Sequence, residues 1–377
     1  MQAYFDNSAT TKPCPEAIKA VENALTECWG NPSSLHYSGL EADTLLEKAR
    51  QSIASKLSCE SGEIFFTSGG TESNNLALFG TAYSLKRYGK RIVATSVEHP
   101  SIDEALNRLS EEGFEIIRLS VDKTGKINPA DLIAAVTPDT ILVTMMYVNN
   151  EVGSIMPVEL AKRAVTASGA HAYVHVDAVQ AFGKLNVNPL RMGADLVTVS
   201  SHKIHGPKGA GALYIKKGTR LKPRTLGGEQ EMKVRPGTQP VPAIAGFGAA
   251  ADALPDIKEE LSVITELRDY MLSEFEKIGG IELNSPRDAL PYVTNISVTG
   301  IKSEPMLNFL SSKGICVSAG SACSKGKKSR VLTEMGLDRD RMESPLRISF
   351  SRYTTKEEID YLVEMINLGK QQIRAIK

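Results

Sequence analysis

A chain of 377 residues, 42% of them hydrophobic, is long enough to bury one large core and one smaller one, which excludes a disordered protein. Its 44 basic and 44 acidic residues cancel, so no whole-molecule field draws it to nucleic acid or a membrane surface, and no apolar run approaches the roughly 18 residues of a spanning helix. The start, Met1-Gln2-Ala3-Tyr4-Phe5, has no basic region ahead of an apolar one, so a cytoplasmic location is expected.

The polar run Asp6-Asn7-Ser8-Ala9-Thr10-Thr11 precedes Pro13 and Pro15 and reads as a loop before a helix starting near Glu16. Asp6 or Asn7 either caps that helix or lies over a site. Gly39 to Leu57 carries apolar residues at helical spacing and predicts an amphipathic helix. Ile64-Phe65-Phe66-Thr67 reads as a short buried strand. The turn Ser68-Gly69-Gly70-Thr71 then opens a helix reaching about Lys86. Two glycines and a threonine at a helix start make either an anion cradle or a tight turn with Thr71 as its cap.

From Arg91 onward, strands 91–96, 114–119 and 140–146 alternate with helices 101–111, 129–136 and 157–167, which predicts a mostly parallel sheet covered by helices on both faces. Further apolar runs end at Asp177 and Ser200. Gly70, Asn150, Asp177 and Ser200 therefore gather at the carboxyl edge of the sheet, where such folds place ligands. Just past Ser200 comes Ser201-His202-Lys203 and then a glycine-rich return through Gly206, Gly209 and Gly211 to Tyr214. A lysine there suits an amine that forms a Schiff base beside a bound phosphate, although loop lysines are mostly solvated. Asp177 suits the carboxylate that pyridoxal phosphate needs against its ring nitrogen. Gln180 is placed to donate to the phenolic oxygen, and His99 to stack on the ring or move protons.

The segment 216–242 is rich in glycine, proline and charge and reads as a long functional loop. Helices follow to about Ile278, with a domain boundary near Leu254-Pro255. The last third reads as a small α/β domain with strands near 281–283, 293–298, 315–318 and 346–350 and helices near 304–311 and 356–375. Arg347 is either a fork for a substrate carboxylate or part of a structural ion pair. The cysteines Cys14, Cys28, Cys59, Cys316 and Cys323 have neither disulfide nor zinc spacing, so no metal is expected. Cys316 sits in the strand-like Gly314-Ile315-Cys316-Val317 and is expected to be buried. Cys323 alone has a loop setting, and the basic side chains after it favour its thiolate.

The motifs Tyr4–Thr11, Gly30–Ser34, Thr67–Asn75, Val148–Gly153, His175–Gln180, Ser200–Tyr214, Arg235–Thr238 and Gly320–Cys323 together resemble the class V aminotransferase-fold enzymes and, within them, the cysteine desulfurases of iron–sulfur cluster assembly. The resemblance implies the α/β pyridoxal-phosphate-dependent transferase fold (fold type I, aspartate aminotransferase-like), with a large domain over 13–254 and a small one over 255–377 joined by the loop 1–12. It implies a homodimer that takes sulfur from L-cysteine, leaves alanine and a persulfide on Cys323, and passes the sulfur to an acceptor protein, either an iron–sulfur scaffold or a tRNA-thiolation enzyme. Pyridoxal 5'-phosphate would be bound through Lys203, with its phosphate on Gly70, Thr71, Ser200, His202 and the partner's Thr238, and its ring against Asp177, Gln180, Asn150 and His99. Asn7, Asn150 and Arg347 would hold the substrate. A selenocysteine lyase or an aminotransferase shares the fold but needs no thiolate, and a lapsed sulfur carrier needs no intact lysine. The segment after Cys323 is shorter and more basic than in the housekeeping desulfurases, which leaves the acceptor open.

Overall fold

The structure, a computed structural model, describes residues 1–320 and 329–373. A two-residue strand β1 (Ala3–Tyr4) and a loop lead to helices α1 (Pro15–Thr26) and α2 (Tyr37–Leu57), strand β2 (Ile64–Thr67) and helix α3 (Gly70–Leu85). The alternating region follows as β3 (Arg91–Thr95), α4 (Pro100–Glu111), β4 (Glu115–Leu119), α5 (Pro129–Ala135), β5 (Thr140–Met146), α6 (Glu159–Ser168), β6 (Tyr173–Asp177), the short α7 (Pro189–Met192), β7 (Leu196–Ser200) and β8 (Gly211–Ile215). Proline at the first turn with a polar residue just ahead starts several of these helices. Asn128 and Asn188 cap α5 and α7, and His99 caps α4 by accepting from the Ser101 amide.

These strands form one seven-stranded sheet in the order β2-β8-β7-β6-β5-β3-β4. All run the same way except β8, which is antiparallel to both neighbours. The end of the glycine-rich return after Lys203, Gly211–Ile215, is thus a buried strand wedged between β2 and β7. It passes the glycine turn after β2 only because Gly211 has no side chain, since a Cβ there would lie 2.6 Å from the Gly69 Cα. Neighbouring residues face opposite sides of the sheet. Ile92, Leu142 and Leu196 pack under α3 and α4, while Val93, Val143 and Val197 join the larger core that includes Phe182 and Phe247. Because both faces are covered, the inner strands β5, β7 and β8 are buried along their whole length, while the edge strand β4 carries the exposed Glu115 and Arg118.

Helix α8 (Val241–Asp252) is buried on several sides and crosses α2 closely, with Gly248 against Ala49, where a Cβ would lie 2.6 Å from the Ala49 Cα. Beyond it come α9 (Ile257–Ile278), β9 (Ile281–Leu283), β10 (Val293–Val298), α10 (Ser303–Ser312), β11 (Ile315–Cys316), α11 (Arg330–Glu334), α12 (Arg339–Glu343), β12 (Pro345–Ser349) and α13 (Lys356–Gln372). An antiparallel sheet β12-β10-β9 centres this third. The N-terminal segment packs on it: β1 pairs in parallel with β11, and Asp6 bridges to Ser349. Cys316 is exposed, against expectation, because β11 is so short that only Ile315 turns inward. Among the described residues no helix is long and apolar enough to cross a membrane, and no cluster of potential metal ligands occurs.

Candidate active site

The carboxyl ends of β2, β5, β6 and β7 surround a cavity of about 240 Å³. Gly70, Thr71, His99, Asn150, Asp177, Gln180, Ser200, His202, Lys203 and Arg347 all line it. Five of the six segments of sequence that supply these residues come from the seven-stranded sheet, whose parallel strands deliver their ends to one edge, and the sixth brings Arg347 from β12 of the antiparallel sheet.

Lys203 reaches in from the turn after β7, and its ammonium donates to the carbonyls of Ser8 at 2.5 Å and Ala9 at 2.8 Å. Burial pushes its amine down to about 7, helped by the charges of Lys184 and Arg347 and opposed by Asp6 and Asp177. The carboxylate of Asp177 is fixed at both oxygens, Oδ2 accepting from Asn74 Nδ2 at 2.8 Å and Oδ1 from the Val179 amide at 3.0 Å. Asn74 Nδ2 also donates to Ser101 Oγ at 2.9 Å. Ser101 in turn lies 2.8 Å from His99 Nδ1, which accepts from the Ser101 amide at 3.1 Å. Nδ1 is therefore the acceptor nitrogen of His99, and Nε2 carries the proton of the neutral ring. Burial holds that ring below the ordinary histidine value, with Lys203 and Arg330 adding to the effect and Asp177 opposing it.

At the other end of the cavity the first amides of α3 have no intrahelical acceptors. Gly70 is packed so closely that a Cβ would lie 2.9 Å from Val179 Cγ2, so the backbone itself forms the wall. Ser200 Oγ is buried without a partner. His202 Nδ1 lies 3.2 Å from Thr10 Oγ1, and burial with the Lys203 charge drives its ring down to about 4. Free helix amides, an orphaned hydroxyl and a neutral imidazole suit a phosphate. A fixed carboxylate and a buried amine across the cavity suit the pyridine nitrogen and aldehyde of pyridoxal phosphate.

Arg347, 1% exposed on β12, donates to Asp6 Oδ1 at 2.8 Å and to the Asn150 carbonyl at 3.0 Å, while its Nε is buried without a partner among the described residues. Asn7 does not line the cavity. Its amide donates to the carbonyls of Ser349 at 2.8 Å and Tyr4 at 3.2 Å and fastens the N-terminal loop to β12, and Ser8 and Ala9 are the loop residues that line the cavity. Thr238 is exposed and outside the cavity of its own chain. Cys323 lies outside the described residues. Its flanks are nevertheless held near the site: Ser318 pairs with Arg347, Ser329 Oγ donates to Glu151 Oε2 at 2.6 Å, and Arg330 donates to the Glu98 carbonyl and pairs with Asp103.

Sequence reasoning missed Ser8, Asn74 and Ser101. Asn74 follows Gly70 by one helical turn and so shares its face, a spacing that could have revealed it. Ser101 looks like an ordinary first-turn residue, and nothing local marks it.

Fold and cavity together define a fold type I pyridoxal phosphate enzyme. More narrowly, the chain belongs to the class-V aminotransferase family, whose model matches residues 3–362. It is 42% identical over 381 residues to "Cysteine desulfurase IscS" of Dictyoglomus turgidum, spanning 100% of this chain and 96% of that one. To a cysteine desulfurase of Trichormus azollae it is 40% identical over 379 residues, spanning 99% and 94%. Among solved structures, a "NifS-like protein" superposes with a TM-score of 0.94 at 36% identity, over 99% of this chain and all of that one. A NifS-like protein from Rickettsia africae gives 0.87 at 31% identity, over 98% and 100%.

Proposed function

We propose that this chain is a cytoplasmic, homodimeric cysteine desulfurase that converts L-cysteine and the Cys323 thiol into L-alanine and a Cys323 persulfide. The new S–S bond forms as the Cβ–S bond of the substrate breaks, and the proton given up by the two thiols ends on Cβ, so atoms and electrons balance. The observation that carries this reading is the meeting of Lys203, Asp177 and Arg347 in one cavity, with the flanks of the Cys323 segment fixed beside it.

Lys203 would bind the cofactor, Asp177 its ring nitrogen, and Gly70, Thr71, Ser200 and His202 its phosphate, joined by Thr238 of the partner subunit. When bound, pyridoxal phosphate supplies an electron sink for charge developing at the substrate α-carbon. Asn74 and the Val179 amide hold both oxygens of Asp177 and fix the carboxylate in the position where it would meet the ring nitrogen. Gln180 donates one amide proton to the Ser8 carbonyl at 3.0 Å and keeps the other for the cavity. His99, neutral with its proton on Nε2, would stack on the ring, and would accept or return a proton only after its own ring turns or through a water. Arg347 and Asn150 hold the substrate carboxylate. Lys203 would take up the proton leaving the substrate α-carbon, its amine being brought down to about 7 by burial.

Exposed apolar side chains at Trp29, Leu35, Tyr37, Leu40 and Leu226 support the dimer, as does the exposure of Thr238. The persulfide is passed to an acceptor protein, an iron–sulfur scaffold or a tRNA-thiolation enzyme, and the large domain spans 13–254 with the rest in the small one. Incubating the pure protein with L-cysteine and a reductant should give alanine and sulfide in equal amounts over many turnovers. Alanine without sulfide, or a keto acid in place of alanine, would overturn the reading.

A further inference from the structure

Behind Lys203 lies a second buried lysine to which the reaction above gives no task. Lys184 follows Gly183, whose φ of +76° and close packing, 2.9 Å from a would-be Cβ to Leu254 Cδ2, admit only glycine and turn the next side chain inward. Lys184 is 8% exposed and forms no ion pair with a carboxylate among the described residues. Its Nζ lies 3.5 Å from Gln180 Oε1 and 5.5 Å from the centre of the Tyr292 ring. A cavity of about 20 Å³, bounded by Lys184, Lys203, Glu260 and Tyr292, separates the two amines and has room for a single water. Glu260 is hydrogen-bonded to the Tyr292 phenol.

An ammonium only donates, so it must face the amide oxygen of Gln180 and not the nitrogen. That choice fixes the orientation of the amide. The nitrogen is turned to the Ser8 carbonyl, which also accepts from Lys203. We propose that Lys184 is a positioning residue of the site: it holds the Gln180 amide with its NH2 group toward the cofactor and keeps a fixed positive charge behind Lys203. The charge works in the direction the chemistry needs. Burial leaves Lys184 with a value of about 8, still protonated at neutral pH, and its field helps to bring Lys203 down to about 7. The other groups facing Lys203 are Arg347, which acts with Lys184, Asp6 and Asp177, which act against it, and the rings of His99 and His202. Glu260 faces Lys184 and favours its charged form.

The inference rests on Lys203 being the lysine that binds the cofactor. Its test uses Lys184→Met, which keeps the stem and removes the charge, Lys184→Gln as a second neutral variant, and Lys184→Arg, which keeps the charge. In cofactor-free protein, the pH dependence of Lys203 acetylation by acetic anhydride, read by peptide mass spectrometry, gives the amine's midpoint. In the loaded protein, the visible absorbance is titrated over the same range. Both midpoints should rise by about half a pH unit or more in the neutral variants, roughly a threefold change in the unprotonated fraction near neutral pH, and stay close to the wild-type values in Lys184→Arg. Unmoved midpoints in either neutral variant that folds, judged by its circular dichroism, or an equal rise in Lys184→Arg, would overturn the proposal. Borohydride labelling of a different lysine would instead defeat the site assignment, so the two failures are distinguishable.

Discussion

Arg347 Nη2 donates to Asp6 Oδ1 at 2.8 Å, joining β12 to the N-terminal loop across 341 positions of sequence. A guanidinium only 1% exposed needs such a counter-ion, because an unpaired buried charge is costly. The pair also holds the planar fork in one orientation. Nη1 is tied to Asn150, and the orphaned Nε is left to meet an incoming carboxylate.

Replacing Arg347 by lysine keeps the charge and removes the fork. A carboxylate then loses at least one charge-assisted hydrogen bond, on the order of 2–3 kcal/mol, or roughly a hundredfold in kcat/KM for L-cysteine. The loss should fall mainly on KM, and the absorbance of the bound cofactor should be unchanged. An unaltered KM in Arg347→Lys would remove Arg347 from substrate binding.

Lys203 gives a prediction with a pH signature. An amine with a value of about 7 is roughly one-tenth neutral at pH 6 and nine-tenths neutral at pH 8. Capture of pyridoxal phosphate by cofactor-free protein should therefore speed up about tenfold between those values and level off above them. A solvated lysine would keep accelerating toward pH 10. Lys203→Ala should remain colourless, and borohydride followed by peptide mapping should label Lys203 and leave Lys208 unmodified.

Glu98 lies beneath the site, fully enclosed, with Oε1 accepting from Thr95 Oγ1 and the Met146 amide while Oε2 has no partner. Burial pushes its carboxyl up to about 8 from an ordinary value near 4.5, and the negative charge of Asp177 adds to this. The folded protein thus holds this proton more tightly than the unfolded chain does. The stabilisation is fully present below about pH 4.5 and is lost as pH rises through about 8. Glu98→Gln imitates the protonated form at every pH. It should match wild type in Tm at pH 5 and exceed it by several degrees at pH 9, on the order of a few kcal/mol. An equal Tm difference at both values would mean that Glu98 does not titrate with folding.

Much of this site was legible because β strands and helices alternate with clear punctuation, so the ends of the runs at Thr67, Met146, Asp177 and Ser200 could be placed at one edge before any coordinates. The rest depended on distance in sequence. The glycine-rich composition of Gly206–Gly211 hid β8, since glycines weaken a strand signal even where close passage requires one. Glu231 is buried against Arg50, with Nη1 and Nη2 donating at 2.9 and 3.0 Å, and it pins the loop that carries Thr238. Nothing within the stretch Glu229–Val234 announces a partner 181 residues away. Glu231, Met232 and Lys233 also hold positive φ, a backbone choice imposed by that contact and not by residue type. Asn7 lies outside the cavity, its amide tied to Ser349 and Tyr4, and nothing in the local run Asp6–Thr11 announces that packing against β12.

Cys323→Ser separates the reaction from the cofactor. The groups that fit pyridoxal phosphate all come from the walls formed by Gly70, Asp177, Ser200, His202 and Lys203, so the variant should stay yellow and still change its spectrum when L-cysteine is added. Serine preserves the size of the side chain, but its hydroxyl is not ionised near neutral pH and cannot accept sulfur as a thiolate does. Alanine production should therefore fall to background. In the unmodified enzyme, L-cysteine without reductant should add the mass of one sulfur to the peptide bearing Cys323, and the serine variant should gain none. Cys316 is the control to watch, because it is exposed only seven positions upstream. Sulfur found there would keep the reaction and replace the nucleophile. Near-full alanine production by Cys323→Ser would instead make this chain a lyase or aminotransferase of the same fold.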